Sequence, residues 1–203
     1  MSTDDELYER YVNGERHAGD ELLLRYDNML VAYINSLVGN LYDAEDLMIE
    51  SFTVIFADKP KIKPGNFKAY LFRIAHNKAC KLLKHRNRLK LVTMPAETDL
   101  TDDEQISAAA REENQAESLI AKGLTPEEAL WNDERNKVLH QCLERIAPQY
   151  REALWLLYGT GLSHEQAAKI LGCNKKRINN LITNGKIRLR SELEKEGITY
   201  EDI

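Results

Sequence analysis

Apolar residues recur along the chain at intervals of three and four, and no stretch alternates at every second position, so the pattern predicts helices throughout. Leu7, Tyr8, Tyr11 and Val12 form a first stripe. It follows a capping Thr3 and the acids Asp4, Asp5 and Glu6, which suit the positive end of a helix dipole, and Asn13-Gly14 ends it. A second helix is expected from Asp20, with Leu23, Leu24, Leu30, Val31, Ile34 and Leu37 turned to a core, closed by Gly39-Asn40. A third runs from Asp43 to about Ala57 around Leu47, Met48, Phe52, Ile55 and Phe56. Two prolines and a glycine make 58–66 a loop. A long fourth helix, Phe67 to about Lys90, carries Phe67, Tyr70, Leu71, Ile74, Ala75 and Leu82 and grows basic toward its end.

The pattern lapses between Met94 and Lys122, where acids and small residues replace large apolar ones, as in a mobile acidic linker. It resumes at Thr125-Pro126-Glu127-Glu128, a capping hydroxyl followed by proline at the first helical position. Leu130, Val138, Leu139, Leu143 and Ile146 carry that helix to Ala147-Pro148. A short helix, Gln149 to Tyr158, is broken by Gly159 and Gly161 before a closing pair, Ser163–Leu171 and Asn174–Glu196. The expected fold class is all-α: two small helical domains, 1–92 and 125–203, joined by a flexible linker over 93–124.

Charge changes what this scaffold is for. The 203 residues carry a net charge of −5, which taken alone argues against a nucleic-acid partner. Yet no Asp or Glu occurs from Lys59 to Ala96, and none from Asn174 to Arg190, while lysines and arginines crowd both stretches. Local basic surface, not net charge, attracts phosphate. Cys80, Cys142 and Cys173 are far apart and form no CxxC pair, so they read as small reduced side chains. The five histidines make no metal-spaced set, and no phosphate-binding glycine loop or nucleophile motif appears. Neither catalysis nor a cofactor is expected. The polar start MSTDDELYER is no secretory signal, and no apolar run approaches the roughly 18 residues of a membrane span, so a cytoplasmic protein without membrane insertion is expected.

Ser163 to Thr183 has the spacing of a helix-turn-helix: a serine cap, a short helix with small Ala168, Gly172 at the tight turn, then a basic second helix. Ala167, Leu171, Cys173, Ile178 and Leu181 take the inner positions. Lys175, Lys176, Arg177, Asn179, Asn180, Thr183 and Lys186 are then the candidates for major-groove contact.

PQYREALWLLYGTGLSHEQAAKILGC resembles region 4 of extracytoplasmic-function (ECF) sigma factors of the sigma-70 family. DAEDLMIESF resembles the region 2 segment by which such factors grip RNA polymerase, and NFKAYLFRIAHNKA resembles their promoter-reading helix. The likeness covers roughly residues 4–90 and 125–194. It implies a factor that directs core RNA polymerase to promoters, reading a −10 element with region 2 and a −35 element with region 4. Asp43, Glu45, Asp46, Leu47, Glu50 and Phe52 would dock on the β′ clamp helices, region 4 would meet the β flap, and an anti-sigma factor is an implied partner. Lys63, Asn66, Phe67, Tyr70, Arg73, His76, Asn77, Lys78 and Lys81 would hold the unpaired −10 strand, a task suited to a basic track with aromatic platforms. Phe67 and Tyr70 equally fit core positions.

The chain departs from the family in its recognition helix, Lys175-Lys176-Arg177-Ile178-Asn179-Asn180-Leu181, and at His76, where arginine is frequent. A helix-turn-helix regulator acting without polymerase is the alternative, but it leaves Asp43–Phe56 unexplained.

Overall fold

The structure, a computed structural model, describes residues 2–93 and 137–197. Every regular element among them is helical. The expected acidic linker and the helix start at Thr125-Pro126 lie outside the described residues.

Helix α1, Asp4–Val12, begins as its sequence dictates. The Thr3 hydroxyl accepts the Glu6 N–H and the Glu6 carboxylate accepts the Thr3 N–H, a reciprocal cap. Helix α2, Arg16–Val38, starts a turn earlier than Asp20, because Ala18 and Gly19 are buried, with Gly19 against the Tyr11 ring. Its buried side is Leu22, Tyr26, Leu30, Tyr33, Ile34 and Val38. Leu24, expected to face the core, is 71% exposed. The Leu22-Leu23-Leu24 run offers three neighbouring apolar positions, of which Leu22 shares a side with Tyr26 and Leu30, and that choice turns Leu24 outward.

Helices α3, Leu41–Asp58, and α4, Phe67–Thr93, pack on α2. Asn40 caps α3 by accepting the Asp43 N–H. Together the first four helices bury Leu7, Leu47, Phe52, Ile55, Phe67, Leu71 and Phe72, each worth roughly 1.5–3 kcal/mol of transfer free energy.

In the second half, residues 137–145 form α5. Helix α6, Pro148–Leu154, opens on proline at its first position. It continues into a π-helical turn, Trp155–Gly159, in place of the simple break expected at Gly159. The indole of Trp155 lies across Gly159, where an added Cβ would come within 2.2 Å of the ring. Helices α7, His164–Ile170, and α8, Lys175–Lys195, complete the half.

Candidate nucleic-acid interface

Helix α4 distributes its residues by role around its axis. Tyr70, Arg73, Asn77, Lys81, Lys84 and Arg88, spaced by three and four, form one exposed polar stripe. Leu71, Phe72, Ala75 and Ala79 form its buried side. Lys78 and Arg86 point to α3, where Lys78 bonds Glu50 at 2.7 Å and Arg86 bonds Asp43.

The loop before α4 presents Lys61 and Lys63 to solvent. The Asn66 amide is turned inward, donating to the Pro64 carbonyl at 3.0 Å and the Lys63 carbonyl at 3.4 Å, so it staples its own loop. Phe67, a candidate for stacking that also fitted the core, is core: it is 1% exposed, with its ring 5.3 Å from Tyr8 and 5.9 Å from Tyr26. A base has no access to it. Tyr70, at 36% exposure, is the aromatic left on the surface.

Helix α3 likewise divides the residues expected to dock. Glu45, Asp46 and Glu50 are exposed. Leu47 and Phe52 are buried and hold α3 to the core, so they offer a partner nothing. The apolar part of the outer face comes from residues not singled out in the sequence, Tyr42 at 72% exposure and Ile49 at 57%. Their seven-residue spacing, opposite Ala44, Leu47 and Ser51, was the available signal.

The helix-turn-helix forms as its spacing predicts. Ser163 and Gln166 make a second reciprocal cap, Gly172 turns the chain at φ +61°, and Asn174 caps α8 by accepting the Arg177 N–H. Ala167, Ala168 and Ile178 are buried, with Leu171, Cys173 and Leu181 packed beside them. Ile182 is buried as well. Lys175, Lys176, Arg177, Asn179, Asn180, Thr183 and Lys186 all face solvent, the Lys186 ammonium 4.8 Å from the Tyr158 ring centre.

The two halves touch, and a polar cluster lies at the contact. Glu152 of α6 sits 2.6 Å from Nδ1 of His76, which the sequence had assigned to the −10 strand, and it accepts a 2.8 Å bond from the Tyr33 hydroxyl. Cys80 Sγ is 3.5 Å from the other His76 ring nitrogen. Burial works against a charged imidazole, but the hydrogen bonds to Cys80 and Glu152, with the Glu152 charge, outweigh it and raise the His76 pKa to about 10. Burial first, then Glu152, keeps the Tyr33 phenol well above its ordinary range. Lys68 donates to the Thr160 carbonyl at 2.7 Å, and Gln166 donates to the Gly65 carbonyl at 3.2 Å. Among the described residues, no group of three or more His, Cys, Asp or Glu side chains could hold a metal ion, and no helix is long and apolar enough to cross a membrane.

Comparison with known proteins matches residues 22–89 to sigma-70 region 2 and residues 136–189 to sigma-70 region 4. The ECF RNA polymerase sigma factor SigE of Mycolicibacterium smegmatis is 27% identical over 176 residues, covering 87% of this chain and 62% of that protein. The RNA polymerase sigma-H factor of Pseudomonas aeruginosa is 28% identical over 171 residues, covering 84% of this chain and 83% of that protein. In fold, the chain is similar to the sigma factor RpoE solved in complex with the anti-sigma factor NepR from Bartonella quintana. The TM-score is 0.60 at 23% identity, over 86% of this chain and 96% of that one. With both regions matched in order and relatives of this kind along most of its length, the chain belongs to the sigma-70 family, in its ECF branch.

Proposed function

We propose that the chain is a cytoplasmic, non-catalytic sigma factor that binds core RNA polymerase and directs promoter-specific initiation. Residues 1–92 form the unit that docks on polymerase and reads the −10 element, 93–124 link it onward, and 125–203 read the −35 element. The outer face of α3, with Glu45, Asp46, Glu50, Tyr42 and Ile49, meets the β′ clamp helices, while the second half meets the β flap. Lys63 and the α4 stripe of Tyr70, Arg73, Asn77 and Lys81 track the unpaired −10 strand. The first turns of α8, from Lys175 to Thr183, enter the major groove at −35. An anti-sigma factor is a fitting partner, since the similar Bartonella quintana factor was solved with one.

The observation that carries this reading is the presence in one chain of two exposed basic surfaces and an acidic, apolar-flanked helix face pointing elsewhere. A polymerase-independent regulator has use for the first two and none for the third. Transcription in vitro with purified core polymerase tests it. The chain is expected to yield discrete run-off products from genomic templates that core enzyme alone does not give. Specific promoter binding undiminished by the absence of core enzyme would overturn the reading.

A further inference from the structure

Apart from the staple of the Asn66 amide, the loop 59–66 has little internal support. Pro60 and Pro64 have no N–H to donate, and the loop's backbone makes one hydrogen bond to itself, from the Asn66 N–H to the Lys63 carbonyl at 3.1 Å. Lys59 enters it with φ +43°, a left-handed conformation that residues other than glycine rarely adopt.

What supports the loop is α1. Asp5, Tyr8 and Tyr11, spaced by three along that helix, each take one backbone group of the loop or of the turn before it. The Tyr11 hydroxyl donates to the Phe56 carbonyl at 3.2 Å and the Tyr8 hydroxyl to the Pro60 carbonyl at 2.8 Å. The Asp5 carboxylate accepts the Gly65 N–H. Lys59 reaches back over the Tyr11 ring, 5.3 Å from its centre, and donates to the Val12 carbonyl at 3.5 Å. The brace is itself anchored, because Asp4 pairs with Arg25 at 2.6 Å and accepts the Tyr26 hydroxyl. Helix α1 precedes the stretch, 22–89, that matches region 2.

We propose that Asp5 is a positioning residue for −10 strand capture, holding the loop in a preformed shape beside the α4 stripe. This rests on the reading of Lys63 and that stripe as the strand track. Gly65 shows why Asp5 matters most. Its φ of +74° is a glycine conformation, and both its backbone groups are held, the N–H by Asp5 and the carbonyl by Gln166 of the second half. Once the second half leaves to read the −35 element, the Asp5 bond is the hold from outside the loop that remains on Gly65, beside the Asn66 staple on the Pro64 carbonyl. A loop already in its bound shape gives up less freedom on meeting a strand, so its preorganisation appears as affinity and base discrimination.

The test uses holoenzyme assembled from core polymerase and the full chain, with a fork template pre-melted at −10 and a duplex carrying the −35 element alone as probes. Asp5→Ala is expected to weaken fork binding about tenfold, equivalent to about 1.4 kcal/mol. The −35 duplex, core binding and thermal melting stay near wild type. Asp5→Asn separates the bond from the charge. If Asp5 served only the helix dipole, Asn would fail as Ala does, whereas an acceptor for the Gly65 N–H is restored by the amide oxygen. Should Asp5→Ala lower the melting temperature, Tyr8→Phe carries the test, since it keeps the ring packing and removes the bond to Pro60. Normal fork binding by these variants while Arg73→Ala weakens it overturns the brace and leaves the track. Normal binding by Arg73→Ala and the brace variants together overturns both.

Discussion

His76 on α4 and Glu152 on α6 meet 2.6 Å apart across the contact between the two halves, with side chains 15% and 14% exposed. Removing one partner of a buried pair leaves the other uncompensated, at a cost of roughly 3–5 kcal/mol. Glu152→Ala is therefore expected to loosen the halves without melting either. Small-angle scattering reads this as a larger radius of gyration at unchanged helicity. An unchanged radius would mean that the Lys68 bond to Thr160, the Gln166 bond to Gly65 and the Tyr33–Trp155 ring contact hold the halves without the pair.

The same pair makes the contact sensitive to pH. Against the opposing effect of burial, its neighbours Cys80 and Glu152 hold the His76 pKa at about 10, above the ordinary 6.5. A raised pKa means the joined state binds the proton more tightly than the separated state, so the contribution is complete below the lower value and fades toward the higher one. Compactness is expected to fall as pH rises from 6.5 to 10. His76→Phe should flatten that dependence in the same scattering measurement.

Surface and core residues of α3 should separate cleanly. Asp46→Lys and Ile49→Ala are expected to weaken core polymerase binding at least about tenfold, while shifting stability by no more than about 0.5 kcal/mol. Leu47→Ala should do the reverse, costing about 2–5 kcal/mol of stability. Co-purification with core enzyme, beside thermal melting, checks all three. Full retention of binding by both surface variants would remove this face from docking.

The recognition helix offers a further contrast. Lys175 and Arg177 are both exposed in the first turn of α8. A phosphate contact weakens every sequence alike and lowers the salt slope by about one, whereas a base contact costs roughly 1–3 kcal/mol at one position. Lys175→Ala is expected to behave in the first way and Arg177→Ala in the second, read from affinities across a library of −35 variants. Indistinguishable profiles would end the distinction.

Local features were legible in the sequence because they are written within a few residues. Thr3 with Glu6, Ser163 with Gln166 and Gly172 each set their turn unaided. Whether an apolar side chain at a promising position packs inward or meets a partner depends on the opposing element. Phe67, Leu47 and Phe52 accordingly proved to be core, while Tyr42 and Ile49 carried the exposed face. The buried tyrosines were harder still. Tyr33 finds the acceptor for its hydroxyl 119 residues away, and no local pattern encodes that meeting. The π-helical turn is a different case, since Trp155 and Gly159 lie only four residues apart, with the ring across the glycine.

The bond from Gln166 to Gly65 sets the helix-turn-helix against the loop beside the −10 track. On DNA their targets stand about 25 base pairs apart, or about 85 Å at 3.4 Å per pair. One molecule cannot keep that bond and span both elements. The joined form thus competes with promoter binding, and the apparent affinity of the isolated chain is multiplied by the fraction of molecules already open. If closure is favoured by about 3 kcal/mol, that fraction is below one in a hundred, and two-element recognition weakens by about 150-fold. On the proposed reading, polymerase gripping α3 and the second half at separate places would remove this handicap before any base is read.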